Sequence, residues 1–226
     1  MFFAYLAGSI PFGYIIGISY GNVDIREHGS GNIGMTNVFR TLGVLPGVIT
    51  LLLDVFKGYI AVHLALLWIP PENFGDDYMM WAIIICLIAM LAVMGHSFPV
   101  WLSFKGGKSV AVSLGILAAL MGWWVIAPIV VFTIIVFLTR YVSLGSIISA
   151  ISVPIVFAVF RTFPHSGNDS DKVFTGFAIF LAIMVIVRHR SNIKRLLAGT
   201  ENRMGIKKKQ KTRKIPPDET DSDLHD

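Results

Sequence analysis

The sequence predicts an all-α membrane protein: a bundle of seven transmembrane helices, N-terminus outside, C-terminus cytoplasmic, with its polar motif loops on the cytoplasmic face. Three observations predict it. The 226 residues are 54% hydrophobic with a mean hydropathy of +0.69, a membrane composition and not that of a soluble domain. The apolar residues fall in runs of spanning length. The basic residues cluster at the ends of those runs that lie on one side.

The first run, 2–20, follows Met1-Phe2-Phe3-Ala4 and no basic segment, so it reads as a retained span and not as a secretory signal. The runs 44–69, 78–95, 146–163 and 173–188 suit helices that cross a hydrocarbon layer of ~30 Å. The stretch 109–138 is too long for one crossing, about 45 Å at ~1.5 Å per residue. A turn at Gly122-Trp123-Trp124 makes it two short helices.

Charge decides the count. With seven spans and the N-terminus outside, Arg26, Arg40, Lys105, Lys108, Arg140, Arg188, Arg190, Lys194, Arg195, Arg203 and the tail all reach the inner face. Only Arg161 and Lys172 fall outside, and the outer loop 70–77 carries Glu72, Asp76 and Asp77 without a Lys or Arg. That asymmetry follows the positive-inside rule. A single span over 109–138 puts either Lys105 and Lys108, or Arg140 and the tail, on the wrong side.

A net charge of +5 raises the question of nucleic acid, and the distribution answers it. The one dense basic run, Lys207-Lys208-Lys209-Gln210-Lys211-Thr212-Arg213-Lys214, lies beside the membrane, where anionic lipid is the nearest partner. Pro216-Pro217 and an acidic end follow, so residues 1–204 read as one transmembrane domain and 205–226 as a disordered cytoplasmic tail. The single cysteine, Cys86, sits in an apolar run and reads as an inert buried thiol.

Three polar stretches, the first two punctuated by glycine, interrupt the apolar background, and this topology gathers all of them at the cytoplasmic face. In Ser30-Gly31-Asn32-Ile33-Gly34-Met35-Thr36-Asn37, Gly31 and its small neighbours let backbone N–H groups converge on an anion. Ser30, Asn32, Thr36 and Asn37 add donors, and Arg40 follows about one helical turn on, able to hold phosphate as a fork. Gly95-His96-Ser97-Phe98-Pro99 runs into Lys105-Gly106-Gly107-Lys108 just before a span, and helix N-termini favour anions. In Arg188-His189-Arg190-Ser191-Asn192, His189 and Asn192 are three apart and share a helix face. Taken singly, each stretch also reads as a glycine turn or a charged interfacial helix end.

Asp54 and Lys57 lie three apart inside the second run. Ionisable groups at membrane depth are costly, so they are expected to pair with each other or with substrate. Ser143 stands near Arg140 in a further small polar turn, and Glu201 is the sole acid of a basic region, which favours an ion pair over a general base. There is no Gly-x-Ser-x-Gly elbow, and the inner-face acids are too scattered for a two-metal site. No metal or cofactor is expected.

Together and in this order, SGNIGMTN with Arg40, GHSFPVWLSFKGGK and RHRSNIKRLLAGTE resemble the bacterial integral-membrane acyl-phosphate:glycerol-3-phosphate acyltransferases. The resemblance runs from Ala4 to about Gly205. Met35, Ser109 and Val112 stand where that family usually has Ala, Gly and Thr. The chain also lacks the His-x4-Asp pair seen in acyltransferases that use acyl-CoA.

The resemblance implies transfer of a fatty acyl group from acyl-phosphate to the 1-hydroxyl of glycerol-3-phosphate, early in phospholipid synthesis in the bacterial cytoplasmic membrane. The active site would face the cytoplasm. It implies that Ser30 and Arg40 matter for activity, and that Lys105, Gly106, Gly107 and Lys108 bind glycerol-3-phosphate. His189 and Asn192 become active-site candidates and Glu201 a structural one; Lys57, His96 and Ser143 are taken as substrate-binding and Asp54 as structural. For the general base the choice stays open among His189, His96, a lysine and a substrate phosphate oxygen. A transporter of a phosphorylated metabolite would use similar anion sites, but motifs confined to one side argue against it.

Overall fold

The computed structural model describes residues 1–160 and 168–204. Arg161 and the tail 205–226 lie outside the described residues. Ten α-helices make up the described chain: α1 (Phe2–Ser9), α2 (Phe12–Gly21), α3 (Met35–Leu42), α4 (Val44–Trp68), α5 (Tyr78–Ser97), α6 (Val110–Met121), α7 (Ile126–Thr139), α8 (Val142–Phe160), α9 (Asn168–Arg188) and α10 (Arg190–Leu197). Among the described residues six stretches are long and apolar enough to cross a membrane: 2–21, 44–68, 78–102, 110–139, 142–159 and 169–188.

Two of those stretches are broken near their middle. Within 110–139, α6 ends at Met121 and Gly122 takes φ +52°, a left-handed backbone that glycine tolerates best. A short 3₁₀ turn, Gly122–Val125, leads into α7. The interruption falls at the Gly-Trp-Trp turn read from the sequence. The run 2–20, expected as one helix, is two. Pro11 carries no N–H and pushes Ile10 out of the helical region, to φ −58°, ψ 116°. Ile10 N–H still donates to Ala7 O, and the Ile10 carbonyl, which accepts from Phe12 N–H at 3.2 Å, keeps a second lone pair for another partner.

The core is built around α5, where Trp81, Ile85, Ala89, Ala92 and Val93 are all buried. Small residues let its neighbours approach closely, as in other membrane helix pairs. A Cβ on Gly8 would fall 2.1 Å from the Ala92 carbonyl oxygen, and one on Gly95 2.2 Å from that of Tyr5, so α1 and α5 touch backbone to backbone. Gly58 and Gly115 do the same for α4 and α6. At the far end Phe174 of α9 packs edge-on to Trp81 at 5.8 Å and stacks on Phe157 at 6.3 Å. Exposed apolar side chains such as Leu52, Phe56, Phe137, Ile155 and Ile183 coat the outside, an apolar surface of the kind that marks a membrane face.

Candidate active site

The first motif folds around one amide. Asn37 Nδ2 donates to the carbonyls of Ile25 and His28, both at 2.9 Å, and its Oδ1 accepts from Ser30 N–H at 2.7 Å. Asn32 Oδ1 accepts from Gly34 N–H at 2.9 Å. The loop is therefore held from within, and Gly29 and Gly31 take the left-handed angles it needs. The hydroxyls of Ser30 and Thr36 and the Arg40 guanidinium make no hydrogen bond among the described residues and line the same cavity.

The second motif differs from its expected form. Gly106 N–H donates to Ser97 O at 3.2 Å and Gly107 N–H to His96 O at 3.0 Å, so neither is free for an anion. Their carbonyls are also engaged: Arg188 Nε donates to Gly107 at 3.0 Å and Nη2 to Gly106 at 2.9 Å. The glycines serve close packing instead, because a Cβ on Gly107 would lie 2.1 Å from His96 Nε2. Lys105, Gly106 and Gly107 line neither cavity described here. Lys108 lines both.

The third motif closes the site. Glu201 accepts from Ser143 Oγ at 3.0 Å, Asn192 Nδ2 at 2.7 Å and Arg195 Nε at 2.7 Å, while Lys108 Nζ donates to Asn192 Oδ1. Burial alone would raise the Glu201 pKa, but the bonds from Asn192, Arg195 and Ser143 outweigh it and the group lies below its ordinary value. Burial, with smaller contributions from Arg195, Arg40 and Arg188 against the pull of Glu201, lowers Lys108 to about 8. His189 Nδ1 lies 2.7 Å from the Val185 carbonyl. A carbonyl only accepts, so Nδ1 carries the proton and Nε2 presents a lone pair. Burial and the nearby Lys108 hold this imidazole at about 4, neutral at pH 7.

These groups surround a cleft of about 410 Å³. Its polar end carries Ser30, Thr36, Arg40, Lys108, His189 and Asn192, with Ser143 and Glu201 behind them. The rest is an apolar groove between Leu114 and Leu117 of α6, Ile129 and Phe132 of α7, Val153 of α8 and Leu181 of α9. An adjoining cavity of about 500 Å³ shares Ser30, Asn32, Lys108 and Arg195 and adds Gly31, Arg188 and Arg190.

Lys57, expected as a substrate contact, lines neither cavity. It is buried against Asp54 at 2.8 Å. Asp54 and His96 both line the cleft. Arg195 and Arg188 were not singled out from sequence. Arg195 was legible as the i+3 neighbour of Asn192; the Arg188 clamp spans motifs and left no local signal. Among the described residues no three His, Cys, Asp or Glu side chains are grouped to hold a metal.

A family model described as glycerol-3-phosphate acyltransferase matches residues 1–199. The glycerol-3-phosphate acyltransferase of Thermosynechococcus vestitus is 43% identical over 204 residues, 89% of this chain and 92% of that protein. That of Endomicrobium trichonymphae is 43% identical over 206 residues, covering 91% and 94%. The crystal structure of PlsY (YgiH), an integral membrane glycerol 3-phosphate acyltransferase, superposes in its glycerol 3-phosphate form with TM-score 0.75 at 38% identity, covering 90% of this chain and 93% of that one. Its lysophosphatidic acid form gives 0.73 at the same identity.

Proposed function

Because the chain belongs to the glycerol-3-phosphate acyltransferase family, we propose that it transfers a fatty acyl group from acyl-phosphate to the 1-hydroxyl of glycerol-3-phosphate. The products are lysophosphatidic acid and inorganic phosphate. One observation carries the reading: a single cleft joins a cationic end, with Arg40 and Lys108, to an apolar groove running among α6, α7, α8 and α9. Phosphates suit the first part and an acyl chain the second. The solved relative's glycerol 3-phosphate and lysophosphatidic acid forms correspond to acceptor and product of this reaction.

In this mechanism Arg40, Lys108 and Arg195 hold the two phosphates side by side, with Ser30 between the cavities as a hydroxyl donor. His189 Nε2 accepts from the attacking hydroxyl and orients it; at about 4 it is too weak a base to take the proton outright. Glu201 already faces three donors, so a phosphate oxygen of the acyl donor is the base. The hydroxyl oxygen bonds to the acyl carbon and the carbon–oxygen bond to phosphate breaks with its electron pair on the leaving oxygen. The hydroxyl proton ends on that phosphate. Orientation of this kind can supply up to ~7–11 kcal/mol of the barrier.

The same reading sets the topology. α6 and α7 count as two crossings, seven in all, with the N-terminus outside and the motif loops facing the cytoplasm of a bacterial inner membrane. The deciding experiment is lysophosphatidic acid formation by purified protein from palmitoyl-phosphate and glycerol-3-phosphate, with palmitoyl-CoA in parallel and Ser30→Ala as control. Product from acyl-phosphate alone, lost in the variant, is expected. Product from the CoA thioester overturns the donor, and no product from either overturns the acyltransferase.

A further inference from the structure

We propose that His96 is a further catalytic residue, locked as its Nε2–H tautomer by Lys57 and donating to the carbonyl oxygen of the acyl donor as negative charge develops there. The inference rests on the acyl-transfer reading above.

The lock is a matter of counting donors. An ammonium has three N–H bonds and no lone pair. Lys57 Nζ is surrounded by the Ile10 carbonyl at 2.7 Å, Asp54 Oδ1 at 2.8 Å and His96 Nδ1 at 3.0 Å. Two of these are hydrogen-bond contacts and the third an ion pair, and Lys57 itself lines neither cavity, so it does not reach a phosphate. The Ile10 carbonyl is available because the chain breaks at Pro11, and Asp54 supplies the counter-charge inside the span. Facing an ammonium, His96 Nδ1 must be the acceptor. Asp54 Oδ1 is 3.7 Å from it, too far to draw a proton there by a hydrogen bond. A neutral imidazole then carries its proton on Nε2.

That N–H has no partner among the described residues, and His96 lines the cleft. Its Nε2 rests against Gly107, where a side chain would collide. Asp54 of α4, His96 of α5 and Ser113 of α6 line the cleft together with its cationic and its apolar residues, so one cleft joins the two. In an acyl-phosphate the carbonyl likewise joins the phosphate to the chain. The site thus holds two histidines of opposite tautomer: His189 offers a lone pair to the hydroxyl, His96 an N–H to the carbonyl oxygen. Donors fixed in advance towards an oxyanion are among the larger contributions to catalysis. Lys57 and Asp54 act through His96 as positioning residues.

The test combines kinetics with ring spectroscopy. His96→Met removes the donor, and kcat should fall about 100- to 1,000-fold with KM for palmitoyl-phosphate unchanged. His96→Gln keeps an N–H near the position of Nε2 and should recover about tenfold or more of that loss. ¹⁵N NMR of histidine-labelled wild type should show His96 protonated at Nε2, and Lys57→Met should release the ring into both tautomers. A wild-type ring protonated at Nδ1 overturns the proposal, as does a loss confined to KM, the signature of a ground-state phosphate contact. So does a His96→Met enzyme of normal kcat. If His96→Met does not fold, the wild-type spectrum decides, and His96→Gln supports the proposal by a kcat no more than about 10- to 100-fold below wild type. Wild type that makes no lysophosphatidic acid overturns the acyl-transfer reading and this proposal with it; an active wild type with the wrong tautomer overturns this proposal alone.

Discussion

Arg188, the last residue of α9, is hydrogen-bonded to the Gly107 carbonyl through both Nε and Nη2, at 3.0 and 2.7 Å, and through Nη2 also reaches Gly106. The guanidinium spans two consecutive carbonyls of a loop 81 residues earlier and also lies 5.2 Å over the Phe98 ring. A planar fork does this and a single ammonium does not. Arg188→Lys should therefore leave at least one loop carbonyl unpaired, at about 1–3 kcal/mol where it is buried. Since Lys108 stands on that loop, KM for glycerol-3-phosphate should rise while the melting temperature falls. Both measured unchanged would show that the clamp does not set the loop.

Lys108 gives the reaction an alkaline limit. Burial lowers its pKa to about 8, so the ammonium that holds phosphate in the proposed mechanism loses its proton as pH rises through that value. His189, at about 4, stays neutral until the pH falls near that point. Activity should decline above about pH 8 and again only in strong acid. Lys108→Arg, whose guanidinium stays protonated, should keep phosphate binding and carry the alkaline limb upwards. A pH–rate profile of both proteins checks this; an identical alkaline limb would assign it to another group.

Glu201 organises three side chains that point at the cleft. With Glu201→Gln, Ser143 and Asn192 can still share one oxygen, as they share Oε1 now, but Arg195 then faces an amide NH2 in place of its charged partner Oε2. Hydrogen bonds to charged groups are worth ~1.5–3 kcal/mol each, so kcat/KM should drop about tenfold or more. The stability sign is separate. A carboxylate held below its ordinary value of 4.5 stabilises the fold above that pH and loses the contribution as the pH falls through its folded value. Wild type should thus melt progressively earlier below about pH 4.5, and Glu201→Gln should lack that acid-dependent loss.

Much of this architecture is legible in the residues, and the parts that are not share a cause. The helix break at Gly122 follows from length and a turn signal. The break at Pro11 carried an equally plain signal, a proline inside an apolar run, but spanning length outweighed it. Glycine type was legible at positions 106 and 107, but the reason for it was not. Glycine serves anion cradles and close packing alike, and only the position of the His96 ring decides between them. Lys57 shows the same limit: a lysine inside a span must find partners, and sequence spacing offers Asp54 but not the Ile10 carbonyl, which is 47 residues away.

Ser109 separates backbone strain from hydrogen bonding. It opens α6 at φ +60°, a left-handed angle taken by a residue with a Cβ, and its Oγ lies 2.6 Å from Ser97 Oγ in the buried layer beside the cleft. Left-handed backbone costs a non-glycine residue ~1–2 kcal/mol, and the hydroxyl contact offsets part of it. Ser109→Gly and Ser109→Ala both lose the hydroxyl and leave Ser97 short of a partner, so both should lower stability. They differ only in the backbone. Ala keeps the strain and Gly removes it, so Ser109→Ala should be the less stable by about 1 kcal/mol. Thermal or denaturant unfolding of the two variants in the same detergent measures the difference directly. Equal stabilities would mean that the backbone relaxes out of the left-handed region once the Ser97 contact is gone, and that the hydroxyl pair is what holds the helix start in that conformation.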